Sequence, residues 1–244
     1  MGYRRKSTGP VSLIFIFFIF SSCNARIQGV LDTGGGGEFT VSTALEPRMS
    51  TLIRSLSKAG GGRPSPDAPV LDGAAIARSM EQAPGMAAVS LRNTGPAAID
   101  GLVTISRLGD FLAPAGGSGF ISLEQPGPEG RGGRLSINLH RESGPEMLAL
   151  LSPEVSDYLS ALMAPLSTGE VLTRAEYLDL VASVYGRAVA DEIAGGRIRV
   201  SVDFPGPVGG IRGGTFSGKR AEFDLSLPDL LVLEQPLNYE VVWK

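Results

Sequence analysis

The chain predicts an α+β fold in which a mostly antiparallel sheet carries a block of helices on one face. Three observations carry that expectation. Period-two alternation recurs in short stretches on both sides of the middle of the chain. Helical spacing is concentrated between residues 152 and 194, and the strands come in turn-linked pairs instead of alternating with helices one by one.

The elements follow in order. Residues 24–38 pass through Asp32-Thr33-Gly34-Gly35-Gly36-Gly37 without apolar periodicity, so residues 23–38 read as a flexible tether. A strand is expected at 39–44 and a helix at 49–56, where Leu52, Ile53 and Leu56 share a face. Residues 60–69 hold three glycines and three prolines and form a mobile loop open to proteolysis. Asp72 then caps a helix reaching about residue 82, with Ile76, Met80 and Ala83 on one side. Strands at 86–92 and 98–106 flank Asn93-Thr94-Gly95-Pro96, and a second pair at 120–124 and 134–140 flanks a glycine-rich turn. In the last of these Leu135, Ile137 and Leu139 alternate with Arg134, Ser136, Asn138 and His140, giving one buried face and one wet face.

The helical block opens at Ser152-Pro153-Glu154, followed by Val155, Leu159, Leu162 and Leu166 at helical spacing. Thr173 and Glu176 form a capping box, stapled by Leu172 and Tyr177, and start a helix of roughly twenty residues that Gly195-Gly196 closes. A strand over 197–204 alternates strictly until Pro205-Gly206-Pro207 stops it. A connection through 209–214 leads to a strand at 220–225. Tyr239, Val241 and Trp243 mark a terminal strand too apolar to stand at an open edge. The expected body is one globular domain over 39–244; the alternative is two lobes split near Gly116 or Gly144.

The amino terminus has its own pattern. Arg4, Arg5 and Lys6 precede the apolar run 11–20, which ends in Phe20-Ser21-Ser22-Cys23. A basic head, a short apolar middle and small residues before a break are the parts of a secretory signal, here residues 1–22. Ten helical residues cover about half of a bilayer core roughly 30 Å thick, so the run is too short for a lasting span. Arg4-Arg5 belongs to the basic head, since Lys6-Ser7-Thr8 lacks the apolar residues that follow a twin-arginine pair. Cys23 is the chain's one cysteine. Serine, serine and cysteine in that order resemble the lipobox of bacterial lipoprotein precursors, and Phe20 in place of the usual leucine resembles the looser lipoboxes of spirochaetal lipoproteins. The resemblance implies cleavage before Cys23 and a diacylglycerol lipid on that cysteine, with palmitate-type acyl chains. Two or three buried chains, at about 0.8 kcal/mol per methylene, make such attachment effectively permanent.

Composition limits the partners. The net charge is −3, and removal of Arg4, Arg5 and Lys6 with the signal leaves −3 − 3 = −6. Such a body does not invite nucleic acid or an anionic membrane face. With Cys23 acylated no disulfide is available, so packing alone must stabilise some 220 residues.

Candidate chemistry is sparse. Gly213-Gly214-Thr215-Phe216-Ser217-Gly218-Lys219 has the spacing of a phosphate-binding loop, but Arg220 stands where a hydroxyl must hold magnesium, and the stretch joins strands. His140 is the only histidine, without a second histidine or cysteine to make a metal set, and no G-x-S-x-G elbow supplies a serine nucleophile. No metal or cofactor is expected. The carboxylates Glu170, Glu176, Asp179, Asp191, Glu192, Asp203, Glu222 and Asp224 are the one class an enzyme would use. The apolar residues Tyr158, Leu162, Met163, Tyr177, Val181, Val184 and Tyr185 either line a groove for an apolar ligand or form plain core. The strand at 199–204, ending in Phe204-Pro205-Gly206-Pro207-Val208 and followed by an aromatic-ended terminal strand, resembles LppM-like bacterial lipoproteins. That resemblance implies a lipid-binding-like α+β fold.

The expected function is therefore a lipid-anchored cell-envelope protein, facing the periplasm or the exterior, that binds a lipid or an envelope protein without catalysis. An envelope enzyme using carboxylates and a purely structural lipoprotein are the alternatives. Replacing the anchor residue, Cys23→Ala, is expected to leave a soluble or unprocessed chain; a variant that stayed in the membrane fraction fully processed would exclude acylation at this position.

Overall fold

The computed structural model describes residues 24–59, 68–116, 120–124, 132–149 and 159–244. The signal segment, Cys23, nearly all of the loop 60–69, the helix start at Ser152-Pro153-Glu154, and Tyr158 lie outside the described residues. Among those described, eleven strands and eight helices make a mixed α+β fold with mostly antiparallel sheets.

The first strand corrects the tether reading. Residues 24–38 are not a spacer: Asn24–Leu31 forms β1, which pairs with β2 (Gly37–Ala44) on one side and β7 (Arg197–Asp203) on the other. The period-two signal in β1 is weak because its inward series is Ala25, Ile27, Gly29 and Leu31, while Val30 points outward and is exposed. Gly29 lies directly opposite Phe39, and a Cβ at that position would overlap the Phe39 ring. The aromatic ring of one strand thus supplies the contact that the glycine of its neighbour lacks. The glycine run is the hairpin turn between the two strands, held by the Asp32 carboxylate, which accepts from the Gly34 and Gly36 amides at 2.7 and 3.0 Å.

Seven strands form the large sheet, in the order β3 (Met86–Gly95), β4 (Ala98–Ile105), β2, β1, β7, β10 (Arg220–Ser226), β9 (Thr215–Ser217). Only the β1–β7 pair is parallel within it. Four strands form the second sheet, in the order β5 (Ile121–Glu124), β6 (Gly133–Leu139), β11 (Leu237–Trp243), β8 (Val208–Arg212). The stretch expected as a connection is in part β8, and Gly213-Gly214 carries the chain from one sheet to the other. The terminal strand β11 is paired on both sides, by β6 and β8, which keeps its apolar residues from an open edge.

The helices are α1 (Pro47–Ala59), α2 (Gly73–Met80), α3 (Leu108–Gly116), α4 (Gly144–Ala149), α5 (Pro165–Thr168), α6 (Arg174–Tyr185), α7 (Arg187–Gly195) and α8 (Leu227–Val232). The capping box of Thr173 and Glu176 and the Asp72 cap are both formed. Two expected helices are broken. The one running to Leu166 stops at Met163, whose φ of 52° leaves the helical region, and the twenty-residue helix divides at Gly186, whose φ is 92°. Breaking there lets α7 turn so that Glu192 accepts from the Arg48 and Met49 amides at 3.0 and 2.8 Å, capping α1 from a distant part of the chain. Sheets and helices share one hydrophobic core running from Ala25 to Trp243.

Gly186 has no atom within 4 Å of where a Cβ would stand, so its backbone conformation alone opposes substitution. Gly186→Ala is expected to cost about 1–3 kcal/mol, read as a fall of several degrees in Tm; Gly195→Ala, equally uncrowded and without positive φ, serves as the control and should leave Tm nearly unchanged. Equal melting of the two variants would contradict this account of the break.

Candidate functional site

The inward faces of the two sheets do not close on each other. Between them lies a cavity of about 230 Å³. Its large-sheet wall is built from Ile27 and Leu31 of β1, Phe39 and Val41 of β2, Val103 and Ile105 of β4, Val200 and Val202 of β7, and Phe223 and Leu225 of β10. Leu135, Ile137, Leu139, Tyr239 and Val241 make the opposite wall, and Leu108, Phe111 and Leu112 of α3 contribute a third. This is the alternation expected of β6 and β7, with the apolar member of each pair turned inward.

The space is unevenly sealed. Leu31, Val41, Val103 and Val202 are buried, whereas Ile27, Phe39, Val200 and Phe223 point inward from the same sheet and are only half-buried. Solvent therefore reaches the middle of a carbon-lined cleft, a position that costs free energy unless something apolar covers it. Phe204 and Trp243 stack at 4.8 Å between the sheets, and Phe223 meets Tyr239 edge-on at 5.9 Å, so aromatic contacts bridge the walls where they come together.

Polar groups at the cleft are few. Burial, with smaller contributions from the Asp229 and Asp224 carboxylates, pushes the Tyr239 phenol above its ordinary value, so it stays neutral and a hydrogen-bond donor at neutral pH. Among the described residues Glu240 is the one charged residue in the wall, and its carboxylate is held by Ser136 at 3.3 Å and Arg134 at 3.5 Å.

The residues singled out from sequence fall elsewhere. Tyr177 and Val181 are wholly buried and Leu162 is buried, so this part of the helical block is packed core; Val184 is exposed. The Tyr185 hydroxyl donates to the Ala161 carbonyl. None of the helical-block candidates among the described residues lines the cavity. The cleft was missed because its wall residues, taken strand by strand, look like ordinary core positions. The signal that marks them is their alternation on strands of two different sheets.

The carboxylates do not converge. Glu176 caps α6, and the Thr173 amide and hydroxyl, which hydrogen-bond to it, hold its carboxyl below the usual range. Asp203 is paired with Arg220 through two hydrogen bonds of 2.8 and 2.6 Å, which lower its carboxyl likewise. Asp179 and Asp191 flank Arg187, and Glu192 caps α1. His140 is exposed, with Nδ1 3.0 Å from the Glu142 carboxylate. No group of three or more acidic, histidine or cysteine side chains is placed to hold a metal among the described residues. The glycine-rich stretch after Arg212 joins strands, with Lys219 donating from Nζ to the Pro205 carbonyl at 3.1 Å instead of facing a phosphate cradle.

No family model matches the chain, and no curated protein does. Among solved structures it is similar to the NMR structure of the folded domain of LppM from Mycobacterium tuberculosis, with 11% sequence identity and a TM-score of 0.41 over 100% of this chain and 95% of that one. Likeness at this level does not establish kinship.

Proposed function

We propose that this chain is a lipid-anchored protein of the bacterial cell envelope, moored through acylated Cys23, whose domain binds an apolar ligand between its two sheets and performs no catalysis. The observation that carries the binding reading is the unsealed carbon-lined cleft. Its volume of about 230 Å³ exceeds the roughly 150 Å³ of an apolar cavity able to hold benzene, and falls below the range of about 300–1,000 Å³ that takes whole drug-sized molecules. A segment of acyl chain suits that space, with the rest of the molecule left outside. Each methylene transferred from water contributes about 0.8 kcal/mol before ordering costs are subtracted. The engagement of Glu176, Asp203, Asp191 and Glu192 in caps and ion pairs supports a binding role over the carboxylate enzyme.

The test is photo-crosslinking with a diazirine-bearing fatty acid, mapped by peptide mass spectrometry. Adducts are expected on β1, β7 and β10 around Ile27, Val200 and Phe223. Val200→Trp, which fills the half-exposed centre of the cleft, should remove most of the labelling while shifting stability by less than the roughly 1–3 kcal/mol typical of overpacking a sealed core. Labelling scattered over exposed surface, or unchanged by Val200→Trp, would overturn the ligand site.

A further inference from the structure

The outward face of the large sheet bears a different feature at the end where β1 begins. There Asn24 is paired with Arg197, and two residues further along Arg26 is paired with Arg199. All four side chains share the outward face, because alternation turns Ala25, Ile27, Ile198 and Val200 inward. Arg26 and Arg199 are exposed and Arg197 is half-buried. None of the three guanidinium groups forms an ion pair among the described residues. Arg26 and Arg199 border a shallow depression with Gln28, Ser201, Arg220, Glu222 and Asp224. Asp224 lies opposite Arg199 in the β7–β10 register, and Asp100 stands level with Arg26 two strands away, so positive charge predominates on the β1–β7 pair itself.

The chain outside the described part ends where this rim begins. Cys23 is followed by Asn24 with no spacer, and consecutive Cα atoms are only about 3.8 Å apart. A lipid on Cys23 therefore holds the open end of β1 against the headgroups. Arg26 and Arg199 then stand two strand residues, about 7 Å, from the rim, within the screening length of about 8 Å at physiological salt.

Resting on the acylation proposed above, we infer that Arg26, Arg197 and Arg199 dock this rim on anionic phospholipid headgroups and set the orientation of the domain on its own membrane. The net charge of the mature chain, −3 − 3 = −6, opposes recruitment to such a surface. Recruitment is the work of the acyl chains, and the arginines act on the angle at which the body sits. Each engaged arginine shifts the ratio of docked to undocked orientations about fivefold.

The test uses the full acylated chain in vesicles. The acylated sulfur leaves no free thiol, so Ala44→Cys and Ser217→Cys each create a single labelling site, the first exposed at the rim beside the β1 start and the second exposed at the opposite end of the sheet. With headgroup-nitroxide lipid as quencher, the Ala44→Cys label is expected to be quenched more strongly when about a third of the phosphatidylcholine is replaced by phosphatidylglycerol, while the Ser217→Cys label is unaffected. The gain should vanish at 1 M salt, where the screening length falls to about 3 Å, and in the R26Q/R197Q/R199Q chain. The salt titration needs no arginine variant and so stands if that variant misfolds. A chain that floats with both vesicle types but shows no dependence on phosphatidylglycerol overturns the docking alone. One that fails to float even with phosphatidylcholine overturns the acylation and the docking with it.

Discussion

The pairing of β1 between β2 and β7 is the constraint on which the rest of the architecture depends. An interior strand has both of its hydrogen-bonding edges occupied, so neither half of the large sheet closes without it. Its partner on one side is the hairpin neighbour that follows at once, and on the other a strand that begins only at Arg197. The parallel β1–β7 contact therefore joins the first described residues to the last third of the chain, a closure whose entropic cost is met only when nearly the whole chain is present. Everything between them in the chain, including α1, the β3–β4 hairpin and the β5–β6 half of the second sheet, is an excursion from this one pair, and β8 and β11 complete that sheet only after β7.

The unequal size of the two sheets explains why the cleft exists. The second sheet has four strands and faces a sheet of seven, so it cannot cover the whole inward surface. Coverage is complete where bulky side chains reach across, as Phe204 does to Trp243 and as α3 does through Leu108, Phe111 and Leu112. Between these closures Ile27, Val200 and Phe223 stand side by side in register across three strands with less cover above them. The helical block does not repair the gap. Tyr177 and Val181 are wholly buried, and neither lines the cavity.

How much of this was legible follows from where local pattern decides. Both caps, at Asp72 and Thr173, are set by side chains within three residues of the amides they satisfy, and both are formed as expected. The strands at 86–92, 98–106, 134–140 and 197–204 alternate with enough apolar content to be recognised alone. β1 was misread because its inward series contains Gly29, whose missing side chain is replaced by Phe39 from the next strand, a compensation visible only when the two are paired. β8 was misread for a related reason: Gly209 and Gly210 carry no pattern, and the pairing of this strand with β11 is fixed by a partner some thirty residues downstream. The break at Gly186 was hidden inside an apolar stripe that continues through both helices. The α+β class survived these errors because it depends on the kinds of element, while the cleft did not appear because it depends on which sheet each strand joins.

Reclassifying residues 24–38 from spacer to sheet changes what an anchor at Cys23 would do. A tether of fifteen residues would let the body tumble above the bilayer, uncoupling the cleft from the membrane. A strand that begins at Asn24 couples them. Ile27, the first cleft residue on β1, lies three positions along the strand, about 10 Å from its start. With acyl chains on the preceding residue, the apolar wall opens within a few residues of the headgroups, and a lipid tail moving between bilayer and cleft would cross only a short stretch of water. Such a crossing is limited mainly by the apolar surface exposed on the way, so shortening it lowers the barrier directly. Were Cys23 acylated as proposed, the same strand that organises the sheet would set the height of the cleft above the membrane, and a longer linker would alter exchange of an apolar ligand without touching a single residue of the cleft wall.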